Sequence, residues 1–236
     1  MSISRFKTFS PALDKILGGG LPRSSLILFE VSPGTYAWHY AVKVLVDGLN
    51  EGDLGIYLTF DHSPNLIRNR LKSFDWDIAE SETSRRFFIV NAFRWGEKEE
   101  KYVIKDPSND GEVVNVFATI RDNASGALLD KCRCVVDSTI ALFFNYGAAK
   151  MVSFALLLRE VSVKLGITSI LISPMAIGRR INDILAYNSD VVIEFKEFEE
   201  GERLVSKMRV KKMLSRGSSS WIPYTLSGNK ISIEGD

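Results

Sequence analysis

Ser25–Trp38 reads SLILFEVSPGTYAW, and this stretch decides the fold. Its first half is a short apolar run of strand character. A turn-forming Ser32-Pro33-Gly34 follows, and over Tyr36–Asn50 the residues Tyr40, Val44 and Leu45 fall on one helical face. A buried strand that feeds a helix is half of a βαβ unit. The alternation continues along the chain. Gly55–Phe60 (GIYLTF), Phe87–Phe93 (FFIVNAF), Cys132–Thr139 (CRCVVDST) and Thr168–Met175 (TSILISPM) read as strands, while Pro64–Phe74 and Lys150–Leu165 read as helices. The expected class is therefore α/β, a mostly parallel central sheet flanked by helices. The last third changes character. Asp190–Phe198, Glu202–Met213 and Tyr224–Ile233 are strand-like and are joined by Glu199-Glu200-Gly201 and Ser227-Gly228-Asn229, so C-terminal hairpins extend the sheet antiparallel. Arg94–Gly111 reads as an exposed insertion, and one domain over 1–236 is expected.

Composition narrows the function classes. The 236 residues carry 30 Lys and Arg against 29 Asp and Glu, a net charge of +1 that gives no strong electrostatic footprint for nucleic acid or an anionic membrane. The 45% hydrophobic content, with 14 Phe, excludes a disordered chain. Surface scaling lets a chain of this size bury about 70% of its unfolded surface. Cys132 and Cys134 lie on one face of a strand whose geometry keeps them from pairing, and they lack zinc-ligand spacing, which fits a reducing cytoplasm. The N-terminus has no apolar signal-peptide core and no stretch reads as membrane-spanning, so no membrane partner is expected.

In an open parallel sheet the ligand site lies beyond the carboxyl ends of the strands. The segment after the first strand is where a phosphate-binding loop, G-x-x-x-x-G-K-[ST], would stand. In such a loop the glycines let backbone N–H groups converge on phosphate, the lysine neutralises charge, and the hydroxyl ligates magnesium. Here the four diagnostic positions hold Val31, Tyr36, Ala37 and Trp38, and only Pro33-Gly34-Thr35 persists.

The surroundings make the departure informative. Phe9–Arg23 (FSPALDKILGGGLPR) resembles the entry segment T-G-I-P-x-L-D-x-x-L-G-G-G-[LI]-P of the KaiC/RadA-like branch of the RecA superfamily. Leu58-Thr59-Phe60-Asp61 resembles its strand ending T-F-E-E, Leu71–Asp77 its S-F-G-W-D, and Cys134–Ser138 its Walker B strand. Ser189–Ile193 with Glu200–Arg203 resembles its S-D-x-V-I…E-G-x-R, and Lys212-Met213, Arg216-Gly217 and Trp221–Tyr224 its closing strands. The resemblance covers nearly the whole chain. It implies a RecA-type ATP-binding fold, often assembled as a ring with nucleotide between subunits.

Carried over by position, the Walker lysine becomes Ala37, the magnesium-ligating threonine Trp38 and the preceding glycine Tyr36. The paired catalytic glutamates become Asp61 and His62. Asp137 is retained, with Lys212 and Arg216 as counterparts of basic residues that reach a neighbour's phosphates. The vestigial nucleotide site then comprises Ser32, Pro33, Gly34, Thr35, Tyr36, Ala37, Trp38, Asp137, Lys212 and Arg216. The expectation is a pseudo-ATPase of archaeal type that holds no ATP or magnesium and works by assembly, as a homo-oligomer or as the partner of an active paralogue. A nucleotide binder or slow ATPase with an altered loop is the rival, and a nucleic-acid-binding accessory the third reading.

Each feature also has a plainer meaning. Asp137 can be a strand-end cap rather than a metal partner. Tyr36 and Trp38 can fill the vacated pocket or recognise a base or a partner. Asp61 and His62 form an acid–imidazole pair, although adjacent residues rarely face one site. His39 is expected to be partly buried beside Tyr40. Lys207, Arg209 and Lys211 line one strand face, either as a stripe for nucleic acid or as solvated charges that prevent edge-to-edge association.

Overall fold

The computed structural model describes residues 4–92, 101–125, 131–213 and 218–236. In chain order the elements are β1 (Arg5–Phe6), α1 (Pro11–Ile16), β2 (Leu21–Pro22), β3 (Leu26–Val31), α2 (Ala37–Asn50), β4 (Leu54–Thr59), α3 (Pro64–Ser73), α4 (Ala79–Thr83) and β5 (Phe87–Asn91). There follow α5 (Asp110–Asn123), β6 (Cys132–Asp137), α6 (Ile140–Leu165), β7 (Ile167–Pro174), α7 (Arg179–Asn188), β8 (Val191–Glu200), β9 (Arg203–Lys212), β10 (Ile222–Ser227) and β11 (Lys230–Ile233).

Nine strands form one sheet in the order β11-β10-β9-β8-β3-β7-β6-β4-β5. From β8 to β5 neighbouring strands run parallel, and β9, β10 and β11 extend the β8 edge antiparallel, as the hairpin signals imply. Period-two alternation sorts the side chains. Ile27 and Phe29 of β3, Tyr57 of β4, Val135 of β6, Ile193 of β8 and Met208 of β9 pack beneath α1, α2 and α3. Leu28, Leu58, Val136, Leu171 and Val192 face α5, α6 and α7. Both faces of the central strands are therefore apolar, which is why these strands read as continuous hydrophobic runs rather than alternating ones.

Local chemistry sets the helix starts. Ser10 and Ser63 accept hydrogen bonds from the N–H groups of Leu13 and Leu66, each followed by a proline in the first turn, and Asn109 caps α5 in the same way. Four helices, α1, α4, α5 and α7, go beyond the expected pattern. α5 buries Val113, Val116, Phe117 and Ile120, and α7 crosses from β7 to β8. Of the expected insertion, residues 94–100 lie outside the described residues. The remainder is not simply exposed: Val103 bridges Asn91 at the sheet edge and Ile104 is buried. Among the described residues α6 is the one helix long and apolar enough to cross a membrane. It rests on the sheet through Met151, Phe154, Leu158 and Val161, and Gly147 (φ 80°, ψ 169°) interrupts it.

One polar knot sits inside the α2 layer. Arg133 and Asp53 have side chains 2% exposed and pair at 2.8 Å, and Arg133 also donates to the Val44 carbonyl at 2.7 Å. The guanidinium passes Gly48 of α2 so closely that a Cβ there would lie 2.5 Å from Arg133 Nε. Asp53→Ala leaves that cation with the half-exposed Glu51 carboxylate and the Val44 carbonyl as partners, and a loss of roughly 1–3 kcal/mol is expected in urea unfolding. An unchanged midpoint would show that Arg133 is satisfied without it.

Candidate functional site

The carboxyl ends of β3, β4 and β6 bring the loop Val31–Tyr36, the turn Phe60–Ser63 and Asp137 into one region. The loop is strapped to the C-terminal strands. Ser32 N–H donates to the Phe195 carbonyl at 3.0 Å, Glu197 N–H to Ser32 Oγ at 3.3 Å, and Tyr36 N–H to the Tyr224 hydroxyl at 3.1 Å. Thr35 Oγ1 closes the loop on the Ser32 carbonyl at 2.9 Å. Pro33 and Gly34 form its exposed tip. Gly34 has φ +84°, and a Cβ built on it would stand 2.2 Å from Glu197 Oε2, so a carboxylate abuts the loop where phosphate would approach.

The three replaced positions have distinct surroundings. Tyr36 packs edge-on against Tyr224 and His39. Ala37 is buried and presents only a methyl group. Trp38 lies in an aromatic cluster with His39, Phe74 and Trp76, the Arg70 guanidinium stacked 3.8 Å from its ring centroid. Its indole Nε1–H donates to Tyr57 Oη at 2.7 Å, and Tyr57 O–H donates in turn to Asp137 Oδ2 at 2.7 Å. A continuous chain of donors thus runs from the first turn of α2 to the end of β6.

Asp61 and His62 both face Asp137, contrary to the expectation for adjacent residues. The turn after β4 is tight: Thr59 Oγ1 accepts from His62 N–H at 3.1 Å and donates to the His62 carbonyl at 2.9 Å. This places His62 Nδ1 3.7 Å from Asp137 Oδ2, while Asp61 hydrogen-bonds the Ser138 hydroxyl. Ser138 itself holds φ +49°, a conformation few non-glycine residues adopt. Burial raises the Asp61 carboxyl to about 6, with the Asp137 charge adding to the effect. Burial also raises Asp137, opposed by the Tyr57 hydrogen bond and by the charges of His62 and Arg70. His39 moves the other way, down to about 4, through burial and then Arg70.

Other expected site residues stand elsewhere. Within its own chain Lys212 turns to backbone. Its Nζ donates to the carbonyls of Ala186, Tyr187 and Ser189 at 2.9, 2.8 and 2.7 Å and caps the C-terminal end of α7. Arg216 lies outside the described residues. Lys207, Arg209 and Lys211 do share one face of β9, but they pair with Glu200, Glu194 and Glu30, so the stripe is neither bare nor simply solvated. Tyr57, Arg70, Glu197 and Tyr224 join the site without having been signalled as functional. Tyr57 alone carried a cue, since a tyrosine in an apolar buried run needs a partner for its hydroxyl.

This architecture, with a loop-to-helix junction at the end of β3 and an aspartate closing β6, defines a KaiC/RecA-like nucleotide-binding fold. The family described as "ATPase: KaiC" matches residues 6–236, and the chain belongs to it. It is 34% identical over 183 residues to a UPF0273 protein of Aeropyrum pernix, covering 75% of this chain and 71% of that protein. It is 31% identical over 185 residues to UPF0273 protein PAE3143 of Pyrobaculum aerophilum, covering 76% of this chain and 63% of that protein. The match therefore spans less than two thirds of the latter's length. The fold is similar to that of the crystal structure of KaiC-like protein PH0186 from Pyrococcus horikoshii, at TM-score 0.77 and 22% identity over 98% of this chain and 99% of the other.

Two variants test the site. Tyr57→Phe leaves Asp137 without its donor, and a loss of about 1–3 kcal/mol in urea unfolding is expected; an unaltered midpoint would mean that water replaces the hydroxyl freely. The raised Asp61 carboxyl binds its proton more readily folded than unfolded, so its contribution falls as pH rises from about 4 to about 6. His39, depressed to about 4, contributes stability that is lost as pH falls from about 6.5. The two slopes oppose. Asp61→Asn should leave stability rising more steeply with pH across that window, and His39→Gln should have the reverse effect. Identical pH profiles for both variants and the parent would refute the assignment.

Proposed function

We propose that this protein is a non-catalytic member of the KaiC family, a pseudo-ATPase that works by assembly. The observation that carries the reading is the Trp38–Tyr57–Asp137 chain. An indole N–H is a donor only and cannot ligate a cation, and the Asp137 oxygen nearest to it already accepts from Tyr57. Ala37 offers no charge to a terminal phosphate, and Glu197 sets a negative group against Gly34. The residues present do not fit a magnesium triphosphate, and no reaction step is assigned through one. Loss of one preorganised charge-stabilising contact costs roughly 3–4 kcal/mol of transition-state stabilisation, and several are altered together without being strictly additive.

An assembly role draws support from apolar side chains left on the surface, with Phe144 77%, Tyr187 84% and Leu204 66% exposed. The partner we infer is a second copy of this chain or an active paralogue. Arg70 favours one alternative, a weak nucleotide binder. Among the described residues its guanidinium has no hydrogen bond or ion pair and rests on Trp38, leaving a cation beside the loop. Direct nucleic-acid binding is disfavoured by the net charge of +1, which gives no broad basic surface.

Thermal unfolding in millimolar Mg-ATP separates these readings, with Trp38 emission as a second readout. An unchanged midpoint and unchanged emission are expected. A rise of several degrees accompanied by a change in Trp38 emission would establish binding at the loop and overturn the proposal, because ligand affinity for the folded form must appear as stability.

A further inference from the structure

On the sheet face opposite α2, the carboxyl end of β3 and the middle of β8 border a cleft of about 470 Å³ beside the first turn of α7. Side-chain alternation aims Glu30 of β3, Glu194 and Lys196 of β8, and Arg209 and Lys211 of β9 into it. The two glutamate side chains are only 3% and 5% exposed, yet what covers them is their own counter-ions rather than an apolar layer. Lys211 Nζ holds both Glu30 oxygens at 3.0 and 2.8 Å. Arg209 directs Nε and Nη2 to one Glu194 oxygen at 2.7 and 2.6 Å, and Lys196 Nζ takes the other at 2.9 Å. The Trp221 ring lies 4.5 Å from the Arg209 guanidinium and fixes it from the outer side.

The result is a layered arrangement, with carboxylates below and cations above. Lys211, Arg209 and Lys196 are 34%, 31% and 38% exposed, and Arg179, 95% exposed, stands at the rim. Desolvating two glutamates makes such pairs poor sources of net stability. Their effect is to gather the partly exposed cationic side chains at the mouth of one cleft. The volume falls in the range of small-molecule sites, and the carboxyl ends of parallel strands are where open α/β sheets bind ligands.

We propose that this cleft binds a compact small molecule bearing two or more oxyanion groups, of the phosphate or carboxylate kind. The ligand sits on Lys211, Arg209, Lys196 and Arg179 and competes with Glu30 for Lys211. Asp183, 4.0 Å from Lys211 and 3.7 Å from Arg179, is the exposed carboxylate it displaces at the rim. Burial holds the Glu30 carboxyl above its ordinary value, Glu194 and Asp183 reinforcing and Lys211 opposing. Burial works the same way on Glu194, but the hydrogen bonds and charges of Lys196 and Arg209 outweigh it and carry that carboxyl below its ordinary value. Glu194 therefore stays ionised as the fixed base of the site.

Calorimetric titration of the full chain tests this, with pyrophosphate in one arm and citrate in the other. Saturable binding with one site per chain is expected for at least one of them, and the preferred arm identifies the kind of oxyanion. Arg179→Ala, at an exposed position that leaves folding untouched, and Lys211→Ala should each weaken it by about tenfold, the size of one charge-assisted hydrogen bond. Glu30→Gln should tighten it by removing the competitor. No saturable heat from either anion at about 1 mM overturns the proposal, since that is the weakest affinity the site is asked to supply. Binding indifferent to Arg179→Ala and Lys211→Ala overturns it too. So does a chain that binds an oligonucleotide with steep salt dependence but neither small anion.

Discussion

A carboxylate that is 5% exposed at the end of a central strand constrains everything around it. Asp137 cannot keep its charge in that position without donors. In a nucleotide-binding relative by resemblance, a metal ion would supply them. Here Tyr57 on the neighbouring strand does so, and its hydroxyl oxygen is satisfied in turn by the indole of Trp38. Trp38 can reach that point because it stands in the first turn of α2, and α2 stands there because β3 turns through Ser32-Pro33-Gly34. The aromatic shell of His39, Phe74 and Trp76 then holds the indole in place. The loop, α2, β4 and β6 are thereby locked into a single unit by two hydrogen bonds and a layer of rings.

The same sheet solves the problem of buried carboxylates differently on its two faces. On the α2 face Asp137 is met mainly by neutral donors within an apolar shell, so that region is packed shut. On the opposite face Glu30 and Glu194 are met by lysine and arginine, which keep their outer surfaces in water. The difference follows from cover. Helices α5 and α6 shield the central strands, while the far ends of β3 and β8 and the whole of β9 extend past them. Strand positions of identical parity therefore pass from Leu28 and Val192 inside the core to Glu30 and Glu194 beyond it.

Much of the fold was legible because hydrophobic period and turn chemistry agreed. The run before Pro33, the strands around Tyr57 and Val135, and the glycine turns at Gly201 and Gly228 all point to the same sheet. α5 escaped notice although Val113, Val116, Phe117 and Ile120 carry helical spacing, because the charged segment ahead of it drew the reading toward a loop. The site was legible only where residues are adjacent in sequence. Ala37 and Trp38 announce a changed loop by themselves. The partners that give Trp38 its meaning do not, since Tyr57 and Arg70 reach it through sheet and helix packing. Lys212 has a local role that its motif does not signal, since it meets three backbone carbonyls at the end of α7.

On the proposed reading, the backbone of the loop is engaged elsewhere in part, as its side chains are. A cradle needs N–H groups free to converge on an anion. In this loop Ser32 N–H is committed to Phe195 and Tyr36 N–H to Tyr224, both on strands of the C-terminal extension. Gly34 retains the left-handed conformation that such a turn requires, but Glu197 rests against it. Restoring a lysine and a threonine at positions 37 and 38 would therefore supply charge and a metal ligand to a backbone that remains strapped down and faced by a carboxylate. The C-terminal strands that complete the sheet thus also hold the loop through Phe195, Glu197 and Tyr224, which couples its conformation to the edge of the sheet.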